Sequence, residues 1–316
     1  MRMSDRPADR LKANKSLIVI LGPTGVGKTD VGIELADHFG TDIISADSRQ
    51  FYREMKTGTA VPSDEQLARV RHHFVRFISV KEYFSASLFE RAVISLLPTL
   101  FKAGDMAIMT GGSGLYIDAV CRGIDDIPDT DPAVRKKYNE KYKAEGIESL
   151  RKELKTVDPV SYSRVDLRNH KRIIRALEVY GTTGLPYSGF LANKPAERNF
   201  RIIKLGLNRS RAELYSRINS RVDEMLVQGL EEEAWSLRSL RELSALKCVG
   251  YSEFFDFFDG LTTREKTVEL IKRNSRHYAK RQLTWWSRDS EIKWFHPDKV
   301  QEMISFITEA EGNKPW

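Results

Sequence analysis

Ser16-Leu-Ile-Val-Ile-Leu-Gly-Pro-Thr-Gly-Val-Gly-Lys-Thr29 is the stretch on which the fold turns. A short β-branched run, Ser16 to Leu21, ends at Gly22, and from Thr29 to Phe39 apolar residues recur at helical spacing. The order is strand, glycine loop, helix, and Gly22 to Thr29 fits G-x-x-x-x-G-K-[ST] in full. The glycines let backbone N–H groups turn inward around phosphate oxygens, while the helix N-terminus adds partial positive charge. Gly22, Pro23, Thr24, Gly25, Val26, Gly27, Lys28 and Thr29 are therefore the phosphate-binding candidates. Lys28 is placed to reach the distal phosphates, and the Thr29 hydroxyl to hold a Mg²⁺ ion. A glycine-rich turn that merely precedes a helix is the competing reading; the complete motif in its strand-to-helix context argues against it.

Outward from this loop, Asp42-Ile-Ile-Ser45 and Met106-Ala-Ile-Met109 are two more short apolar runs, separated by helical segments such as 87–102. Such runs predict an α/β fold, a P-loop NTPase-like parallel sheet with helices on both faces, with ligands at the carboxyl ends of the strands. From about Ile124 the texture changes. Residues 125–132 are rich in Pro and Asp, and the chain from there to about Pro195 is charged and helical without a strand-like run. The expected organisation is a core of residues 1–123 and 199–316 interrupted by a helical insertion domain, 124–198. Phe200 to Leu207 restores a strand, and Ser210 with Glu213 and Thr262 with Glu265 read as capping boxes opening two long helices. The end of the chain, after Pro297, reads as a helix with a loose end.

The 316 residues are 41% hydrophobic and 30% charged, which suits a globular protein with a sizeable core rather than a disordered chain. A net charge of +7 favours a polyanionic partner. Cys121 and Cys248 offer neither a disulfide framework nor a metal-ligand pattern. No apolar run is long enough to cross a bilayer and the first residues lack an apolar leader, so a cytoplasmic protein without membrane contact is expected.

Phosphate binding does not specify the chemistry. The sequence has no Asn-Lys-x-Asp base-reading motif, and the run ending at Thr110-Gly111-Gly112 carries no carboxylate where ATPases often place one, which disfavours a GTP switch or a motor. Asp47, at the end of the second strand, is suited to accept a proton from an attacking amine or hydroxyl, with Ser48, Arg49 and Gln50 orienting the acceptor. It is equally suited to cap a helix, and spacing does not choose. On the helix from Ser210, Arg221 borders the apolar stripe Leu214, Ile218, Val222, Met225, and Arg217 points further out. The helix after Thr262 carries Lys272, Arg276 and Lys280 on one row and Arg273, His277 and Arg281 on the next, with no acid from Lys272 to Arg288; Val268, Ile271, Tyr278 and Trp285 are expected to face the core. Like charges so close repel unless a polyanion meets them. A second basic row is Arg168, Arg172 and Arg175 with Lys171 beside it, backed by Ile173, Leu177 and Tyr180.

Gly22 to Thr29, Asp47-Ser-Arg-Gln50 with Phe51-Tyr52, Gly58-Thr-Ala60 with Pro62, Gly111-Gly-Ser-Gly-Leu-Tyr116, Arg172 to Glu178, Lys247-Cys-Val-Gly-Tyr251 and Lys280-Arg-Gln-Leu-Thr-Trp285 together resemble the tRNA dimethylallyltransferase family, in order along nearly the whole chain. The resemblance implies an enzyme that passes the dimethylallyl group of dimethylallyl diphosphate to the exocyclic amine of the adenosine 3′ of the anticodon in tRNA, with Mg²⁺ as cofactor. It implies nucleotide binding at the loop and assigns catalysis to Asp47 as general base, with Arg221 and Lys28 meeting the leaving diphosphate. It further implies tRNA contacts from Asp47, Ser48, Arg49 and Gln50; from Ser113 and Arg135; and from Lys171, Arg172, Ile173, Ile174 and Arg175. The remaining contacts it implies are Lys247, Cys248, Val249, Gly250, Tyr251 and Ser252, and Lys280, Arg281, Gln282, Leu283, Thr284, Trp285, Trp286 and Ser287. Gly25-Val26 stands where many members carry Ala-Ser, and Ser113 where Thr is usual. The insertion is expected to contact the anticodon stem-loop, and the protein to be a monomer.

Two rivals share the loop. A P-loop kinase of a nucleotide or small metabolite would close over a small acceptor, but leaves the basic helix unexplained. A non-catalytic nucleotide-dependent RNA binder would use Asp47 only as a cap.

Overall fold

A computed structural model describes residues 15–125, 127–191 and 195–312. The first residues and the expected loose end at 313–316 lie outside them. Among the described residues six strands, β1 (Ser16–Leu21), β2 (Ile43–Ser45), β3 (His72–His73), β4 (Met106–Gly111), β5 (Arg201–Leu207) and β6 (Lys293–Phe295), form one sheet in the order β3-β2-β4-β1-β5-β6. Every pairing is parallel. β1 is apolar from Leu17 to Leu21, as suits a central strand covered on both faces: Leu17 to Ile20 are wholly buried. Its odd residues, Leu17, Val19 and Leu21, enter one core with Ile44, Met109, Phe89 and Trp286. Its even residues, Ile18 and Ile20, enter the other with Ile43, Leu35, Leu205 and Ile307. The edge strands β3 and β6 were not legible in the sequence, since two or three residues carry no period.

Helix α1 (Lys28–Phe39) begins inside the phosphate loop, whose Gly22, Gly25 and Gly27 all adopt positive φ. Then come α2 (Asp64–Arg69), α3 (Ala86–Ala103) and α4 (Gly114–Arg122). α3 buries Phe89, Val93 and Leu97 against the first core.

The chain divides into two compact units, with the insertion running from Gly123 to Ala196, within two residues of the expected bounds. Its helices α5 (Pro132–Val157), α6 (Pro159–Arg164) and α7 (His170–Thr183) enclose their own small core of Tyr138, Leu150, Leu154, Ile173, Ile174 and Leu177. α5 is two helical segments meeting at Gly146, φ 75°. Arg168 precedes α7 rather than continuing its basic row.

The larger unit resumes with α8 (Arg211–Val227), α9 (Leu230–Ser236), α10 (Tyr251–Phe258), α11 (Arg264–Trp286) and α12 (Val300–Gly312). Ser210 caps α8 by accepting from the Glu213 amide, but the Glu213 carboxylate pairs with Arg209 instead of completing a box. The cap of α11 is Thr263, not Thr262: its side chain accepts from the Lys266 amide. Of the residues expected to face the core from α11, Ile271 is buried and Val268 half-buried, but the buried face is otherwise a different one. Thr267, Ile271, Ala279, Gln282 and Trp286 are buried, whereas Tyr278 and Trp285 are 36% and 45% exposed.

Candidate active site

The parallel strands end together, so the loops after β1, β2 and β4 converge at one edge of the sheet. The phosphate loop is held there from outside by side chains of three later segments. Gln282 of α11 accepts from the Thr24 amide (2.8 Å) and donates to the Gly112 carbonyl (2.8 Å). Arg217 donates to the Gly25 carbonyl (3.0 Å) and Arg209 to the Val26 carbonyl (2.9 Å). Lys28 bends back to donate to the carbonyls of Gly22 (3.0 Å) and Pro23 (2.9 Å). Burial lowers its pKa to about 8, opposed by the charge of Asp47 and assisted by that of Arg221.

Asp47 follows β2. The Ala46 amide donates to the Thr110 carbonyl (2.7 Å) and the Ala46 carbonyl accepts from the Ser113 amide (3.2 Å), tying the exits of β2 and β4 together. Asp47 Oδ1 accepts from the Arg49 amide (3.1 Å), so the carboxylate closes a turn and caps no helix. The Ser113 hydroxyl accepts from the Ser48 amide (2.9 Å) and donates to the Ser48 hydroxyl (3.0 Å). Arg49 is spent on the carbonyls of Ser244 and Ala245 (both 3.1 Å). Gln50 is buried and donates to the carbonyls of Thr59 (3.2 Å) and Ala60 (3.0 Å), a scaffold contact rather than an exposed one.

Arg221 of α8 donates to the same Ala60 carbonyl (3.3 Å). Burial pulls its pKa down and Asp47 is the foremost charge opposing that. Lys28, Asp47 and Arg221, far apart in sequence, thus share one electrostatic neighbourhood.

Asp47 and Arg221 also sit where two cavities meet, and Lys28 lines the first of them. The first, about 990 Å³, is lined by Gly25, Gly27, Lys28, Thr29, Asp30 and Ser45 with Arg217 and Gln282. The second, about 480 Å³, is lined by Ile218, Val222, Met225, Leu230 and Ile271 with Arg49, Lys247 and Arg281. Thr24, Asp47, Thr59 and Arg221 line both. Thr29, Asp30, Ser45, Asp47 and Thr110 bring oxygen-bearing side chains to the lining of the first cavity, and the buried Thr110 hydroxyl has no partner. That hard donor set suits Mg²⁺, which keeps several waters. Among the described residues no cluster of three His, Cys, Asp or Glu could form a cage.

The expected RNA-contacting residues separate into two groups. Lys247, Cys248, Val249, Gly250 and Ser252 line the second cavity, while Lys280, Arg281, Thr284, Trp285 and Ser287 are exposed or line it. Lys171 and Arg172 are exposed, and Arg175 is half-buried, donating to the Thr130 hydroxyl (3.1 Å). By contrast Tyr251, Ile173, Ile174, Gln282 and Trp286 are buried and Leu283 is half-buried, so packing rather than RNA contact accounts for those side chains. Arg135 forks onto the buried Glu178 carboxylate (2.7 and 2.9 Å). The basic face of α11 is narrower than its sequence suggests. Lys272 pairs with Asp223 (2.6 Å) and Arg276 donates to Asn219 (2.7 Å), leaving Arg273, His277, Lys280 and Arg281 outermost.

Fold and site define a class: P-loop α/β proteins whose phosphate loop opens onto a carboxylate and two cations, an arrangement for displacing a phosphorylated leaving group. Residues 50–289 match the model of the IPP transferase family. The chain is 50% identical over 294 residues to tRNA dimethylallyltransferase 2 of Parabacteroides distasonis, covering 93% of this chain and 98% of that protein. It is 52% identical over 283 residues to tRNA dimethylallyltransferase 2 of Porphyromonas gingivalis, covering 90% and 94%. Among solved structures it resembles the tRNA isopentenylpyrophosphate transferase of Bacillus halodurans, with TM-score 0.69, 34% identity and coverage of 95% and 97%. A eukaryotic dimethylallyltransferase acting on tRNA, TM-score 0.79, 23% identical and covering 95% and 80%, shares the fold. The chain belongs to the IPP transferase family, and it is a prenyl transferase.

Proposed function

We propose that the protein transfers the dimethylallyl group of dimethylallyl diphosphate to the N6 amine of the adenosine 3′-adjacent to the anticodon of tRNA. The observation that carries this is the position of Asp47 and Arg221 on the wall common to two cavities, one entered by the phosphate loop. The diphosphate lies on Gly22 to Thr29, and the adenine enters through the second cavity. The N6 lone pair is delocalised into the ring, so Asp47 takes the amine proton as the N–C bond forms at the allylic carbon. The C–O bond to diphosphate breaks, and Lys28, Arg221 and the loop amides meet the charge that grows on the leaving oxygen. The Thr29 hydroxyl would hold a Mg²⁺ ion, which when bound would supply further charge neutralisation at the diphosphate. The relatives' activity sets the kinase reading aside.

Exposed bases of a loop are recognised by unstacking, and the apolar wall of the second cavity offers a surface for a base taken out of its stack. Lys171, Arg172, Lys247, Lys280 and Arg281 are the cations we assign to the anticodon stem-loop. No helix among the described residues is long and apolar enough to cross a membrane. A monomeric, cytoplasmic enzyme belongs to the same proposal.

The test is transfer of radiolabelled dimethylallyl from its diphosphate to unmodified tRNA with adenosine beside the anticodon, comparing wild type with Asp47→Ala at equal tRNA occupancy. Wild type labels the tRNA and the variant binds it but loses a factor of about 10²–10⁴ in rate. Equal labelling by both removes Asp47 as the base. Absence of labelling by wild type, with phosphate passed from ATP to a small acceptor, restores the kinase.

A further inference from the structure

The reaction leaves the carboxylate of Glu233 unassigned, yet it is among the most heavily bonded groups near the site. Oε2 accepts from the backbone amides of Lys56 (2.9 Å) and Thr57 (2.8 Å), and Oε1 from the amide of Gly58 (2.9 Å) and the hydroxyl of Tyr251 (2.6 Å). Three consecutive amides converging on one carboxylate form an anion nest, here filled by the protein's own side chain. Tyr251 is fully buried, and its ring lies where a Cβ on residue 58 would stand, 2.6 Å from it, so only glycine fits there. Glu233 reaches the loop from α9 and Tyr251 from α10, so two helices remote in sequence grip one turn.

The grip leads directly to the reacting groups. Two residues beyond Gly58, Ala60 adopts a left-handed backbone, φ 46°, which a non-glycine residue holds only when its surroundings fix it. Its carbonyl accepts from both Gln50 and Arg221. Thr59, between them, lines both cavities.

We propose that Glu233 and Tyr251 are positioning residues that clamp residues 56–58, hold Thr59 at the junction of the two cavities and aim Arg221 at the leaving diphosphate. The inference deepens the prenyl-transfer reading and rests on it for the identity of the leaving group. Its physical content is that Glu233 acts through Arg221, with the Ala60 carbonyl as the link.

The test is a double-mutant cycle of Glu233→Gln and Arg221→Ala, read both as kcat of prenyl transfer and as affinity for inorganic pyrophosphate by calorimetry. Glu233→Gln is expected to lower kcat about tenfold or more with KM for tRNA within about twofold of wild type, and to weaken pyrophosphate binding severalfold. In the Arg221→Ala background the same change has almost no further effect on either quantity, since coupled groups are non-additive. Tyr251→Phe, which leaves the three amide bonds in place, shows the same pattern with a smaller loss. If Glu233→Gln does not fold, Tyr251→Phe is taken through the cycle by the same criterion. Equal losses in both backgrounds, or no loss, overturn the clamp and leave Glu233 a stabilising contact only. If wild type fails to label tRNA, the transferase reading falls while the pyrophosphate cycle still decides the clamp.

Discussion

Lys28 shows how the setting of one residue becomes a pH dependence. Its ordinary pKa is 10.5 and burial lowers it to about 8 in the folded protein. Below about pH 8 the ammonium is charged in a place that disfavours charge, so it opposes folding. Between about 8 and 10.5 the unfolded chain binds the proton and the folded chain does not, so its contribution to stability rises with pH over that window. Function runs the other way. The charged form meets the diphosphate, so kcat/KM for the donor is expected to fall as pH rises through about 8, the pKa of the free enzyme. Lys28→Met should flatten that limb, lower kcat/KM by about 10²–10³-fold, and reduce the rise in melting temperature caused by pyrophosphate. A variant that keeps the alkaline limb would assign it to another group. Sequence pattern identified Lys28 because the complete glycine-loop motif fixes which position carries its lysine. It did not reveal Glu233, whose spacing on a short acidic helix, Leu230-Glu-Glu-Glu-Ala-Trp-Ser236, looks like a solvated turn.

At the scale of elements, α11 carries two functions on two faces, and the sequence misplaced the division between them. Trp285 and Trp286 are neighbours, but Trp286 is 2% exposed in the core while Trp285 packs against Gly114 and donates to Asp118 (2.8 Å). Trp286→Ala should cost roughly 3–5 kcal/mol of stability, measured by denaturant unfolding. Trp285→Ala should cost much less and weaken tRNA binding instead; an equal stability loss in both would deny the distinction. Gln282 is a different case. A polar residue in a basic helix suggests an RNA contact, but its amide bridges Thr24 and Gly112. Gln282→Leu leaves a buried amide and a carbonyl unpaired, at about 1–3 kcal/mol, and should raise KM for the donor more than KM for tRNA. The close approach of β2 and β4 is equally strict. A Cβ on Gly111 would lie 2.3 Å from the Ala46 carbonyl oxygen, so Gly111→Ala is expected to displace Asp47 and abolish transfer, visible as loss of labelling at retained secondary structure.

For the whole molecule, charge is the property that composition made visible and structure redistributed. The net +7 is compatible with RNA binding, but several of its cations are already paired. Lys272 and Arg135 are neutralised by Asp223 and Glu178, Arg122 by Asp289, and Lys204 is buried between Asp289 and Glu291. The cations that remain outermost, Arg273, Lys280 and Arg281 on α11 and Lys171 and Arg172 on α7, should dominate the salt dependence of tRNA binding. Replacing Lys280 or Arg172 by alanine is expected to reduce the slope of log K against log salt by about 1, whereas Lys272→Ala changes it little. A reduced slope for Lys272→Ala would show that its ion pair opens on binding.

The strand, loop and helix around Lys28, the parallel sheet implied by β-branched runs between helices, and the presence of a helical insertion were all legible in the sequence. Each of these rests on short-range pattern, where neighbours along the chain are neighbours in space. Family membership was legible in the sequence as well, because a set of spaced motifs recurs only where one site must be kept. Which polar residues face a ligand and which serve the scaffold was settled by packing between distant segments. Gln50, Gln282, Arg49, Tyr251 and Glu233 are bonded to groups between 9 and 258 positions away, and no local period encodes such a partner. That Lys28, Asp47 and Arg221 converge is due to parallel strands ending at one edge and to α8 laying Arg221 beside it, a matter of packing that is expressed only once the core has closed.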